Sequence, residues 1–220
     1  MKRILVGGLA MVAVALSTSL GLGCKQKVSS AVHRVVEADI ANKQMAVGTL
    51  YYYVAKDDAK AAVWYRKAAE QGQADAQYAY GLCCFKGKGV AQDYVEAVKW
   101  FRKAAEQGNA DGQNGLGICY VEGKGVPEKY GEASMWFRKA AEQGNAPAQL
   151  SLADNYYRGK GVQKDFVEAY KWASLPSASG DESALKWRDY LMSKMTPEQI
   201  AEGQKRAAAF VPKKSETASK

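Results

Sequence analysis

Tyr94, Ala97, Val98, Phe101, Ala104 and Ala105 are apolar residues at i, i+3, i+4, i+7, i+10 and i+11, separated by charged and polar ones. That spacing is one face of an α-helix. Asp93 precedes it with Glu96 three places on, a capping-box pattern. Gly108 follows it as a helix-stopping glycine. Asn109 can cap a second helix whose large apolar residues are Leu116 and Tyr120, with Gly117 leaving room for a close neighbour. Gly123-Lys124-Gly125-Val126 ends that helix. One such pair cannot bury its apolar face alone.

The pattern recurs. Trp64, Trp100, Trp136 and Trp172 are 36 residues apart, as are Gly72, Gly108, Gly144 and Gly180. A fixed period of this length means a stacked array. Its regular units are 57–92, 93–128, 129–164 and 165–200, within a solenoid over 46–195. Ala46–Tyr53 reads as the second helix of a degenerate earlier unit. A leading helix in 24–45 carries Val28, Val32, Val35, Val36 and Ile40 on one stripe, with His33 beside it. Lys129 replaces the acidic cap in the third unit. Pro176 stands where other units have Ala68, Ala104 and Ala140, and is expected to end or kink its helix about a turn early. Thr196-Pro197-Glu198-Gln199 announces a capping helix over 196–210. Residues 211–220 are polar and expected to be disordered. The four tryptophans fall about 100° from the centre of the apolar stripe, which makes them boundary residues serving inter-repeat packing.

Residues 1–23 change the picture of the N-terminus. Lys2 and Arg3 precede an apolar run from Ile4 to Leu16, and small residues lead to Cys24. This has the flanks of a secretory signal peptide. Cys24 after Gly23 resembles the lipid-modified cysteine of a bacterial lipobox, although Gly21 stands where that motif has leucine. The reading is an exported, envelope-anchored lipoprotein held by acyl chains at Cys24. Plain cleavage near the same point is the alternative. So is a transmembrane anchor, since Ile4–Gly23 spans 20 residues.

The formal net charge is +8, and without the 1–23 segment it is +6. Acids and bases alternate through the repeats, so the surface is mixed. With export, this argues against nucleic acid as a partner. Cys83 and Cys119 are equivalent positions on successive units. Helices stack about 8–10 Å apart, beyond the roughly 7 Å Cα separation that a disulfide tolerates. They read as small, half-buried apolar residues, with a bridge from Cys119 to Cys83 or Cys84 as the alternative.

The unit's Leu-Gly-x-x-Tyr, Gly-x-Gly-Val, Asp-x-x-Glu-Ala and Trp-Phe-Arg-Lys-Ala-Ala-Glu-Gln-Gly resemble the Sel-1-like repeat, an α/α repeat related to the tetratricopeptide repeat. The resemblance covers roughly residues 46–210. It implies an all-α, right-handed superhelical solenoid of antiparallel helix pairs, used as a non-enzymatic scaffold for protein or peptide partners and often exported in bacteria. It names no partner. A monomer is expected.

Catalytic motifs are weak. The Gly-x-Gly loops lack a third glycine and a strand–helix setting, so they read as helix stops. Ser183-Ala184-Leu185-Lys186 fits Ser-x-x-Lys, and some cysteine-rich relatives have been linked to β-lactam binding. A peptidoglycan- or β-lactam-interacting hydrolase or receptor is therefore the alternative function. Its companion motifs Ser-Asp-Asn and Lys-Thr-Gly are missing. No cofactor or metal spacing is present. The Arg-Lys ladder Arg66-Lys67, Arg102-Lys103 and Arg138-Lys139 reads as surface i, i+4 pairs with Glu70, Glu106 and Glu142, with a face for an acidic partner as the alternative. Where units differ, the fold leaves a position free. Val63, Lys99, Met135 and Lys171 share one such position beside the tryptophan and are the candidate partner-binding row.

Overall fold

The computed structural model describes residues 39–178 and 180–213. Among them every regular element is helical. Helix α1 (39–50) runs on through a π-helical turn, Tyr51–Ala55, and stops where Lys56 turns left-handed at φ 55°. Helices α2 (Asp58–Glu70) and α3 (Ala74–Lys86), α4 (Tyr94–Glu106) and α5 (Ala110–Glu122), α6 (Tyr130–Glu142) and α7 (Ala146–Arg158), and α8 (Phe166–Ser177) and α9 (Glu182–Met192) form four pairs. Helix α10 (Pro197–Ala208) closes the stack. From α2 to α9 consecutive helices pack on one another, and α10 packs back on α8. This is the all-α solenoid of helix pairs expected.

The first helix of each unit, called A here, starts on an aspartate. Asp57, Asp93 and Asp165 accept the backbone N–H of Lys60, Glu96 and Glu168. Lys129 makes no such bond, yet α6 starts at the matching residue, because packing outweighs one cap. The reciprocal half of the capping box is absent at Glu96. Its carboxylate instead accepts from Trp100 Nε1 at 2.6 Å and from Lys99. Among the described residues only α10 has the complete box, between Thr196 and Gln199. The second helices, called B, are capped by Gln73, Asn109, Asn145 and Asp181.

Size matching sets the seam between each B helix and the next A helix. A Cβ on Gly81 would lie 2.8 Å from the Phe101 ring, and one on Gly117 would lie 2.6 Å from Phe137. Gly48 faces Tyr65 in the same way at 2.7 Å. At the fourth seam the equivalents are Ala153 and Ala173, both fully buried. The loop glycines do more than end helices. The first of each pair takes the left-handed C-cap. The second, Gly89, Gly125 or Gly161, presses on the first turn of its own A helix, where a Cβ would come within 2.0–2.2 Å of a backbone carbonyl oxygen.

Several expectations are corrected. From residue 39 the leading helix and the Ala46–Tyr53 helix are one element. Ile40, placed on the apolar stripe, is exposed, while Ala41 and Gly48 are buried. The small residues, not the large ones, face the A helix because Tyr65 fills the space. Pro176 does not shorten α8 by a turn. It lies in the final turn, buried in the core. There Ser174 and Ser177 hydroxyls bond the Tyr170 and Ser174 carbonyls, and Ala178 N–H bonds Ser174, so the lost donor costs little. Residues 211–213 are docked: Lys213 N–H donates to the Glu142 carbonyl at 2.8 Å. Residues 214–220 lie outside the described residues, as do Cys24, His33 and the rest of 1–38.

Cys83, Cys84 and Cys119 are buried and unbridged, as small apolar residues would be. Burial pushes the Cys83 thiol up to about 11 and Cys119 up to about 12, from an ordinary 9.0. Below the unfolded value both states keep their protons. As pH rises above it, the unfolded chain deprotonates first and stability falls until the folded thiols also titrate. The urea midpoint should therefore hold constant to about pH 8.5 and drop between about pH 9 and 12, with a shallower drop in Cys119→Ala. A second expectation concerns the seam. Phe137→Ala should destabilise by about 3–5 kcal/mol, and Gly117→Ala by about 1–3 kcal/mol. The double substitution recreates the fourth seam's Ala–Ala pair, so denaturation should find it less destabilised than the two single effects added together.

Candidate functional site

The A helices α2, α4, α6 and α8 carry the tryptophan row. Trp100, Trp136 and Trp172 are buried and Trp64 is half-buried, deeper than the boundary setting read from the helical wheel. An A helix in a solenoid touches the B helix on either side, so its buried arc is wider than the stripe of one helix pair. Trp100 meets Tyr80 of the preceding unit edge to face at 5.6 Å. Lysine stems cover the outer faces: Lys67 over Trp64 at 4.5 Å, and Lys103 and Lys139 over Trp100 and Trp136 at 4.2 Å each. Such contacts stabilise by about 0.5–1 kcal/mol each at exposed sites.

The arginine ladder pairs differently from expectation. Arg66 bonds Glu70 at 2.8 Å. Arg102 instead donates to the Tyr120 hydroxyl at 3.0 Å, and Arg138 to the Tyr156 hydroxyl. These tyrosines lie on the B helix of the same unit. A bond to a half-buried hydroxyl holds the guanidinium better than a solvated i, i+4 pair does.

The candidate row divides. Val63 is 53% exposed and Met135 42% exposed. Lys99 is exposed and reaches Glu96 at 3.2 Å. Lys171 is largely covered. It lies over Trp172 at 4.4 Å, 3.4 Å from Glu168, beneath a C-terminal strap.

That strap is α10 with residues 209–213, where the sequence pattern predicts only a capping helix. Gly203 packs on Tyr170, Arg206 bonds Glu168 at 2.9 Å and Phe210 meets Trp172 edge to face at 5.5 Å. Lys213 Nζ reaches Glu142 at 2.7 Å. The strap therefore crosses the A face of units 3 and 4. One residue foreshadowed it. Leu175 stands where Lys67, Lys103 and Lys139 cover their tryptophans, so Trp172 needed another cover.

Other candidates are not drawn together. Ser183 is exposed, and Lys186 turns to Glu182 at 3.5 Å in open solvent. Along the A–B turns, Asn109 donates to Asp75 and Asn145 to Asp111, each at 2.8 Å. Gln107 and Gln143 reach back to Gln77 and Gln113 at 2.6 and 2.8 Å. Among the described residues no helix is long and apolar enough to cross a membrane.

Comparison with known proteins gives this surface a context. No curated protein matches the chain. A Sel1 repeat protein from Oxalobacter formigenes is similar in structure at TM-score 0.64 and 31% identity, over 92% of this chain and 85% of that one. A protective antigen of uropathogenic Escherichia coli strains with an SLR fold is similar at TM-score 0.55 and 30% identity, over 83% of this chain. This chain spans 49% of the length of that antigen. The Sel1 repeat itself matches four times in succession, over residues 44–73, 74–109, 110–145 and 146–181. With its helix pairs, seams and loop glycines all repeating in that register, the chain belongs to the Sel1 repeat family.

Proposed function

We propose that this protein is a non-enzymatic scaffold, exported to the cell envelope, that presents its A-helix face to a protein or peptide. Sel1 repeats are protein-interaction scaffolds, which supports the general reading. The observation that carries the site is the row Val63, Lys99 and Met135. Two of its members, Val63 on α2 and Met135 on α6, are large apolar side chains left in solvent, on helices whose alanines and rings otherwise mostly face the core. Nothing in the stack requires them there, and a partner's apolar side chain would recover their burial. Lys99 adds a cation between them. Export rests on residues 1–23 and anchoring on Cys24.

Joint replacement of Val63, Lys99 and Met135 by serine should abolish crosslinked capture of the partner from native envelopes, with an unchanged denaturation midpoint. Undiminished capture would remove the row from the site. For anchoring, mass spectrometry of the mature N-terminus should find an acylated Cys24; an unmodified cysteine there would exclude the lipid anchor.

A further inference from the structure

The strap borders an open cleft of ≈ 300 Å³ on the A face, lined in part by Trp172 and Phe210. Four cations line it: Arg138, Lys171, Arg206 and Lys213. A single carboxylate, Glu142, lines it with them, and Lys213 already holds that group at 2.7 Å. Glu168 lies behind, divided between Arg206 at 2.9 Å and Lys171 at 3.4 Å. Arg138 has only a neutral partner, the Tyr156 hydroxyl. Arg138 and Lys171 are thus held in place, one on a tyrosine and one over a tryptophan ring; among the described residues Arg138 has no carboxylate partner, and two carboxylates, Glu142 and Glu168, answer four cations.

Comparison with the second unit sharpens this. There Glu96 accepts the Trp100 indole N–H. In the fourth unit the equivalent Glu168 bonds Arg206 instead, and Trp172 Nε1 is buried without a partner. The strap thus brings two cations, Arg206 and Lys213, each paired with one carboxylate of the A face, Glu168 and Glu142. The result is a small cleft, part aromatic and part cationic, found only where the strap crosses.

We propose that this cleft binds the carboxylate of an acidic segment of the partner protein, either an Asp or Glu side chain or a chain's terminal carboxylate. Arg138 offers the planar fork that suits a carboxylate, Lys171 adds a second charge, and Trp172 with Phe210 takes the adjoining apolar group. The volume suits one side chain with its neighbouring backbone. The proposal rests on the scaffold reading and adds a charge preference, at a place separate from the Val63–Met135 row.

The test is titration calorimetry of the full mature chain with a glutamate-rich hexapeptide, the same peptide with an amidated C-terminus, and a lysine-rich hexapeptide. The acidic peptide should bind and weaken as salt is raised, and the lysine peptide should not. Arg138→Gln and Lys171→Gln should each weaken binding by about tenfold or more, while Lys99→Gln and the Val63/Met135 serine variant bind as wild type does. Loss on amidation assigns the terminal carboxylate; retention assigns a side chain. Folding of each variant is checked by its denaturation midpoint. No binding by the wild-type chain, or equal binding by the Arg138/Lys171 double variant, would overturn the site. The scaffold reading would still stand if envelope capture persisted, so the two can fail separately.

Discussion

The stack depends on a size match between each B helix and the A helix that follows it. Gly81 and Gly117 let the Phe101 and Phe137 rings lie directly on helix backbone, and those rings fill the space that a bare helix pair would leave open. At the fourth seam both partners are alanine. The two positions change together because a Cβ on the B helix and a ring on the A helix would occupy the same space, and close-packed interiors tolerate no overlap. The solenoid grows from this contact. Each unit supplies a groove behind and a ring ahead, so neither is buried until a neighbour arrives.

Polar contacts then select one register. Gln77, Gln113 and Gln149 are buried, and each donates to the carbonyl of Ala69, Ala105 or Ala141 near the end of its own unit's A helix. Their side-chain oxygens, at Gln77 and Gln113, accept from Gln107 and Gln143 of the next unit. A helix end left without partners is costly to bury, so a unit slipped along its neighbour would strand these groups. The second loop glycine acts within a unit, holding the loop against the A helix. Together these contacts occupy nearly every residue that recurs at 36-residue spacing. Recurring residues are therefore scaffold, and the positions left free of the stack are those that vary, such as Val63, Lys99 and Met135.

The sequence by itself determined the helix pairs of the regular units, most of their caps and the family. These are local or periodic properties. An aspartate cap or a glycine stop acts within four residues, and a repeat announces itself by recurrence. Tertiary structure alone decided how deeply the tryptophans are buried, where Arg102 and Arg138 point, why the second loop glycine is needed, and that Lys171 is covered while Val63 and Met135 are not. Each of those depends on what a neighbouring helix brings, and a helical wheel contains one helix. The strap is the clearest case. Arg206 and Glu168 are 38 residues apart, and Lys213 and Glu142 are 71 apart. No local pattern links them, and only the path of the chain back across its own A face brings them together.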